Sequence, residues 1–76
     1  MTPTQLKSAL KSIGAQIKQK RESLGISQPQ LAKATDITKV TIISIEKGHR
    51  PATLDNIVKV CKYLGIDSIN FEELKK

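Results

Sequence analysis

Between Lys39 and Lys47 the chain places Lys39, Val40, Ile43, Ser44 and Lys47 at alternating steps of one and three residues. On a helix these five fall on one arc spanning roughly 140°, while Thr41, Ile42, Ile45 and Glu46 fall on the opposite one. Ile42 and Ile45 need burial, so the second arc faces a core and the first faces outward. Ordinary solvent-facing arcs are rich in Glu, Lys and Gln. This one mixes two lysines, a small hydroxyl and two β-branched apolar side chains. Such a mixture suits the edges of base pairs in a major groove. Val40 and Ile43 match thymine methyl groups, Ser44 can donate or accept, and Lys39 can reach guanine acceptors or a phosphate. The same arc also suits packing against another protein, and the wheel geometry leaves both uses open.

Other reactive groups form no constellation. His49 is the only histidine and Cys61 the only cysteine. With no nucleophile–base pair, carboxylate dyad or phosphate-cradling glycine loop, the sequence predicts a non-enzymatic protein with no metal, cofactor or small-molecule substrate. His49 follows a helix-ending glycine and reads first as an exposed loop residue. Cys61 lies on an apolar helical stripe and reads as a small core residue.

Charge points the same way as the outward arc. The 76 residues carry a formal net charge of +6 and a pI near 9.7. Residues 1–50 hold nine basic and three acidic groups, whereas residues 51–76 hold four of each sign. An excess confined to one part of the chain predicts a polyanionic partner, although a solubilising surface accounts for it as well. The N-terminus lacks a signal-like apolar region and no apolar run approaches the ~20 residues needed to span a bilayer, so the expected compartment is the cytoplasm.

The elements that must position the arc are all helical. At this length one domain, 1–76, is expected, with an aliphatic core because only Tyr63 and Phe71 are aromatic. Thr2, Pro3 and Gln5 form a helix start. Leu6, Leu10, Ile13, Ile17, Arg21 and Leu24 then share a face, with Gly14 bending or dividing the run and Gly25 ending it. Ser27, with Pro29 and Gln30, starts a second helix whose inward residues are Leu31 and Ala32. Thr35-Asp36-Ile37 forms a turn, Thr38 caps the third helix and Gly48 stops it. After a loop at Pro51, Thr53 caps a fourth helix with the apolar face Leu54, Ile57, Val58, Cys61 and Leu64, closed by Gly65. Asn70 and Glu73 frame a fifth helix carrying Phe71 and Leu74. The expectation is an all-α, compact bundle of five short helices, or six if Gly14 divides the first. Arg21 on the first helix's apolar stripe and Glu46 on the third helix's inward arc each demand a partner, so each predicts the other as a structural ion pair.

The run from Gln28 to Gly48 resembles the Cro/repressor-type (XRE) helix-turn-helix family, and the likeness extends over about residues 13–74 without a gap inside the motif. It implies a lambda repressor-like DNA-binding domain, with the helix-turn-helix proper at 28–48 and a recognition helix at about 38–47. By position, Lys39, Val40, Ile43 and Ser44 take the base-contacting places. Ser27, Gln28, Thr38, Lys47, His49 and Arg50 take phosphate-contacting places, and Gln28 also braces Lys39. The Arg21–Glu46 pair matches an ion pair of the family.

The implied function is sequence-specific binding of double-stranded DNA by a transcriptional regulator or repressor, homodimeric through the C-terminal helices. Tyr63 and Phe71 either pack those helices together or help form the dimer surface. A bacterial nucleoid-associated or phage or mobile-element setting goes with that likeness. Exposed Val40 and Ile43 sustain a second expectation, a protein-interaction module such as an antitoxin or corepressor subunit. RNA binding fits less well, because an aromatic stacking platform is lacking. Three positions depart from the family pattern. Asp36 stands where a left-handed glycine is usual, Thr35 where an apolar residue is usual, and Ile43 where a polar one is usual.

Overall fold

The computed structural model describes residues 2–49 and 54–66. Those residues contain four α-helices and no strand: α1 (Pro3–Ser23), α2 (Gln28–Thr35), α3 (Lys39–Lys47) and α4 (Leu54–Leu64). The described bundle is therefore four-helical rather than five-helical. The expected caps at Thr53 and Asn70, the Pro51 loop and the helix carrying Phe71 and Leu74 fall outside the described residues.

Local chemistry sets the boundaries. Thr2 Oγ1 accepts from the Gln5 N–H at 3.1 Å while Gln5 Oε1 accepts from the Thr2 N–H at 3.0 Å, a reciprocal capping box with Pro3 at the first helical position. Ser27 and Gln30 repeat that arrangement at α2. Thr38 caps α3 by accepting from the Thr41 N–H. Asp36, where α2 ends, takes the left-handed conformation (φ 57°, ψ 40°). A short polar side chain tolerates that region better than any β-branched one, which is how the turn forms without glycine. Thr35 belongs to α2 rather than to the turn. Its buried hydroxyl donates to the Leu31 carbonyl at 2.7 Å, so a polar residue in an apolar place is satisfied internally.

Gly14 does not divide α1, which runs unbroken from Pro3 to Ser23. Its role is close approach. A Cβ at this position would lie 2.4 Å from the Ile45 carbonyl oxygen and 2.6 Å from that of Glu46, so only glycine lets α1 rest on the C-terminal end of α3.

The core joins all four helices. Ile17, Leu31, Ile42 and Val60 are completely buried, surrounded by Ile13, Ile37, Ile45, Ile57, Cys61 and Leu64. Each large aliphatic side chain buried in this way contributes about 1.5–3 kcal/mol relative to exposure. Two details differ from the sequence pattern. Leu24 is 51% exposed: it stands at the C-cap of α1, past the last helical residue, and leaves the apolar stripe. On α4, Val60 is fully buried and Val58 only partly, so the inward face is Ile57, Val60, Cys61 and Leu64. α3 packs chiefly against α1 and α2, and this contact fixes how it presents its outer arc.

Candidate nucleic-acid interface

Burial divides α3 cleanly. Ile42, Ile45 and Glu46 are buried and Thr41 is partly buried. On the other arc Lys39, Val40 and Lys47 are exposed, and Ile43 and Ser44 are partly buried. Val40, at 74%, is the most exposed large apolar side chain among the described residues. This arc brings four candidate base-contacting residues, Lys39, Val40, Ile43 and Ser44, together on one ridge. Ile43, partly buried, exposes less of its side chain than Val40 does.

The candidate phosphate-contacting residues divide into two groups. Ser27, Gln28 and Thr38 lie at helix N-termini, and two of their side chains have local work. Ser27 Oγ accepts from the Gln30 N–H, and Thr38 Oγ1 accepts from the Thr41 N–H while donating to Thr41 Oγ1 at 2.9 Å. Capping uses one lone pair of each oxygen and leaves the N-terminal N–H groups of α2 and α3 directed out of the helix ends, where an anion is favoured. Lys47 and His49 are exposed at the other end of α3. Gly48 (φ 72°) reverses the chain there, with the His49 N–H donating to the Ser44 carbonyl at 2.9 Å. Arg50 lies outside the described residues.

Beneath the ridge runs a network built around Glu46. Arg21 donates from Nε to Glu46 Oε2 at 2.6 Å and from Nη2 to Glu46 Oε1 at 3.1 Å, and both side chains are nearly buried. The third guanidinium nitrogen, Nη1, donates to the Ile26 carbonyl at 2.8 Å, which ties down the loop between α1 and α2. Hydrogen bonding to Glu46 outweighs the cost of burial and pushes the guanidinium pKa above its ordinary value. The fork-to-fork geometry suits arginine and no other cation.

Gln28 joins this network. Its Nε2 donates to Glu46 Oε1 at 3.2 Å, and no hydrogen bond joins Gln28 to Lys39 among the described residues. The first residue of α2 is therefore steered by the carboxylate that α1 holds. A sequence pattern gives no sign of this, because the two residues are 18 positions apart on different helices. No buried side-chain polar atom among the described residues lacks a partner.

No group of His, Cys, Asp and Glu able to hold a metal occurs among the described residues. Cys61 is buried, and desolvation pushes its thiol up to about 11. None of the described helices is long and apolar enough to cross a membrane.

Comparison with known proteins bears on the family to which the chain belongs. Residues 17–71 match the family model described as Helix-turn-helix. The chain is also similar to a Methanothermobacter thermautotrophicus protein named "Uncharacterized HTH-type transcriptional regulator". The two are 34% identical over 53 residues, covering 70% of this chain and 77% of that protein.

Proposed function

This chain belongs to the XRE-type helix-turn-helix family, and from that membership we propose that it regulates transcription by binding a specific duplex sequence through α3. The observation that carries the reading is the outer arc of α3. Lys39, Val40, Ile43 and Ser44 form a ridge that is polar, apolar and cationic within two turns, on a helix whose other side is locked to α1 and α2. In this reading the ridge enters the major groove and discriminates bases, while Ser27, Gln28, Thr38, Lys47, His49 and Arg50 hold the sugar–phosphate backbone on either side.

The relative's printed description as a transcriptional regulator supports the regulatory role. The finer reading is a cytoplasmic repressor acting as a homodimer through its C-terminal part, on half-sites about one helical turn (~34 Å) apart. Tyr63, 51% exposed on α4, is the described residue best suited to such a dimer surface.

Selection of bound duplexes from a random pool, followed by sizing of the complex, tests the proposal. The expected result is a two-fold symmetric site bound by two chains, with affinity falling steeply as salt rises. Absence of salt-sensitive binding to any duplex overturns it.

The exposure of Val40 favours one second reading, in which the ridge docks a protein partner. A stoichiometric partner lost on Ile43→Lys, with DNA binding absent, would establish that reading instead.

A further inference from the structure

α1 begins at Pro3, well before residue 17, where the family match starts. Its leading turns lie across the chain that leaves α3. A Cβ added at Gly48 would sit 2.6 Å from Lys11 Cα, so the end of α3 rests on the α1 backbone itself. Beside this contact opens a cleft of about 480 Å³, lined among the described residues by Pro3, Lys7, Leu10, Lys11, Gly48 and His49.

The charges around this cleft are one-sided. Lys7, Lys11 and His49 are all exposed, and neither lysine takes part in a salt bridge among the described residues. No acidic residue precedes Glu22, and the carboxylate of Glu46 is taken by Arg21. Lys7 and Lys11 stand one turn apart on the same face, an arrangement in which like charges work against the helix unless an anion lies between them. His49 follows Lys47 by two residues, so the cleft begins where the exposed cations of α3 end.

We infer that this cleft is a phosphodiester site, in which Lys7 and Lys11 hold a backbone phosphate of the duplex outside the base pairs that α3 reads. The inference rests on the proposed DNA binding and adds a contact made by a part of α1 that lies outside the family match. Phosphate held there lengthens the footprint and raises affinity without adding base preference.

The test uses the full chain and the selected duplex in two forms, one with several flanking base pairs and one trimmed to the selected site. On the long duplex, Lys7→Gln/Lys11→Gln lowers affinity about ten- to a hundredfold at 0.1 M salt and reduces the salt slope by about 2. On the trimmed duplex it binds as the unaltered chain does. Lys7→Arg/Lys11→Arg keeps the long-duplex affinity. Both lysines are exposed, so the variants unfold at the temperature of the unaltered chain or slightly above it. Equal affinity of the Gln variant and the unaltered chain on the long duplex overturns the cleft while leaving the proposed function intact. An equal loss on both duplexes overturns the flanking contact. An unaltered chain that binds no duplex removes the function and the cleft together.

Discussion

Arg21 spans 25 positions of chain to grip both carboxylate oxygens of Glu46, and through Glu46 it reaches Gln28 at the head of α2. One buried carboxylate thus gathers α1, α2 and α3, and the orientation of the outer arc of α3 depends on it. Buried pairs of this kind add little net stability over an apolar replacement, but breaking one leaves a charge with no partner.

Glu46→Leu and Arg21→Met are each expected to destabilise the domain by about 3–5 kcal/mol, while Arg21→Met/Glu46→Leu together recover most of that loss. Urea unfolding of the three variants measures the coupling. Additive losses in the double variant would show that the pair acts independently of its burial.

Gly14→Ala is expected to destabilise by about 1–3 kcal/mol, although alanine favours a helix interior by about 1 kcal/mol over glycine. The added methyl meets the backbone carbonyls of Ile45 and Glu46, which have no rotamer by which to retreat. Thermal unfolding gives the sign. A raised Tm would mean that α1 and α3 separate freely.

Cys61 is expected to resist alkylation in the native state at neutral pH and to react at an ordinary rate once the chain is unfolded in urea. Its folded pKa of about 11 lies above the ordinary thiol value of 9.0. The folded state therefore keeps its proton where the unfolded thiol loses it. The resulting stability is complete below pH ~9 and is lost as pH rises through about 11. A thiol-reactivity time course at rising pH, followed alongside unfolding, checks both parts.

Lys39→Ala and Ser44→Ala are expected to relax base preference, each by about 1–3 kcal/mol at the affected base pair. Gln28→Ala instead weakens binding to all duplexes alike. Affinities across single-base variants of the selected site separate the two patterns.

Short-range features were legible in the sequence. The caps at Thr2, Ser27 and Thr38 involve residues three apart, and the left-handed turn at Asp36 is decided by one side chain. The inward face of α3 was readable because Ile42 and Ile45 leave a helix only one way to turn. Features that depend on a distant segment were not. Gly14 reads from sequence as a point where the first helix bends or divides, since its reason for being glycine lies in the carbonyls of α3. Gln28 read by position as a phosphate ligand and a brace for Lys39, and its bond to Glu46 depends on where two helices meet. Val60 was legible in principle, for Ile57, Val60, Cys61 and Leu64 keep helical spacing. Val58 fits a neighbouring stripe equally well, and only packing against α1 and α2 chooses between them.

The contact of Gly14 with α3 has a mechanical consequence. Side chains that touch can change rotamer and absorb a small rotation, but backbone seated on backbone transmits it. Any tilt of α3 must therefore carry α1 along, and with α1 its row of lysines. In the proposed complex with a duplex, such a unit cannot adjust α3 alone. Imperfect fit then falls on the bend and groove width of the DNA, and sequences that deform easily gain an advantage at base pairs the protein never touches.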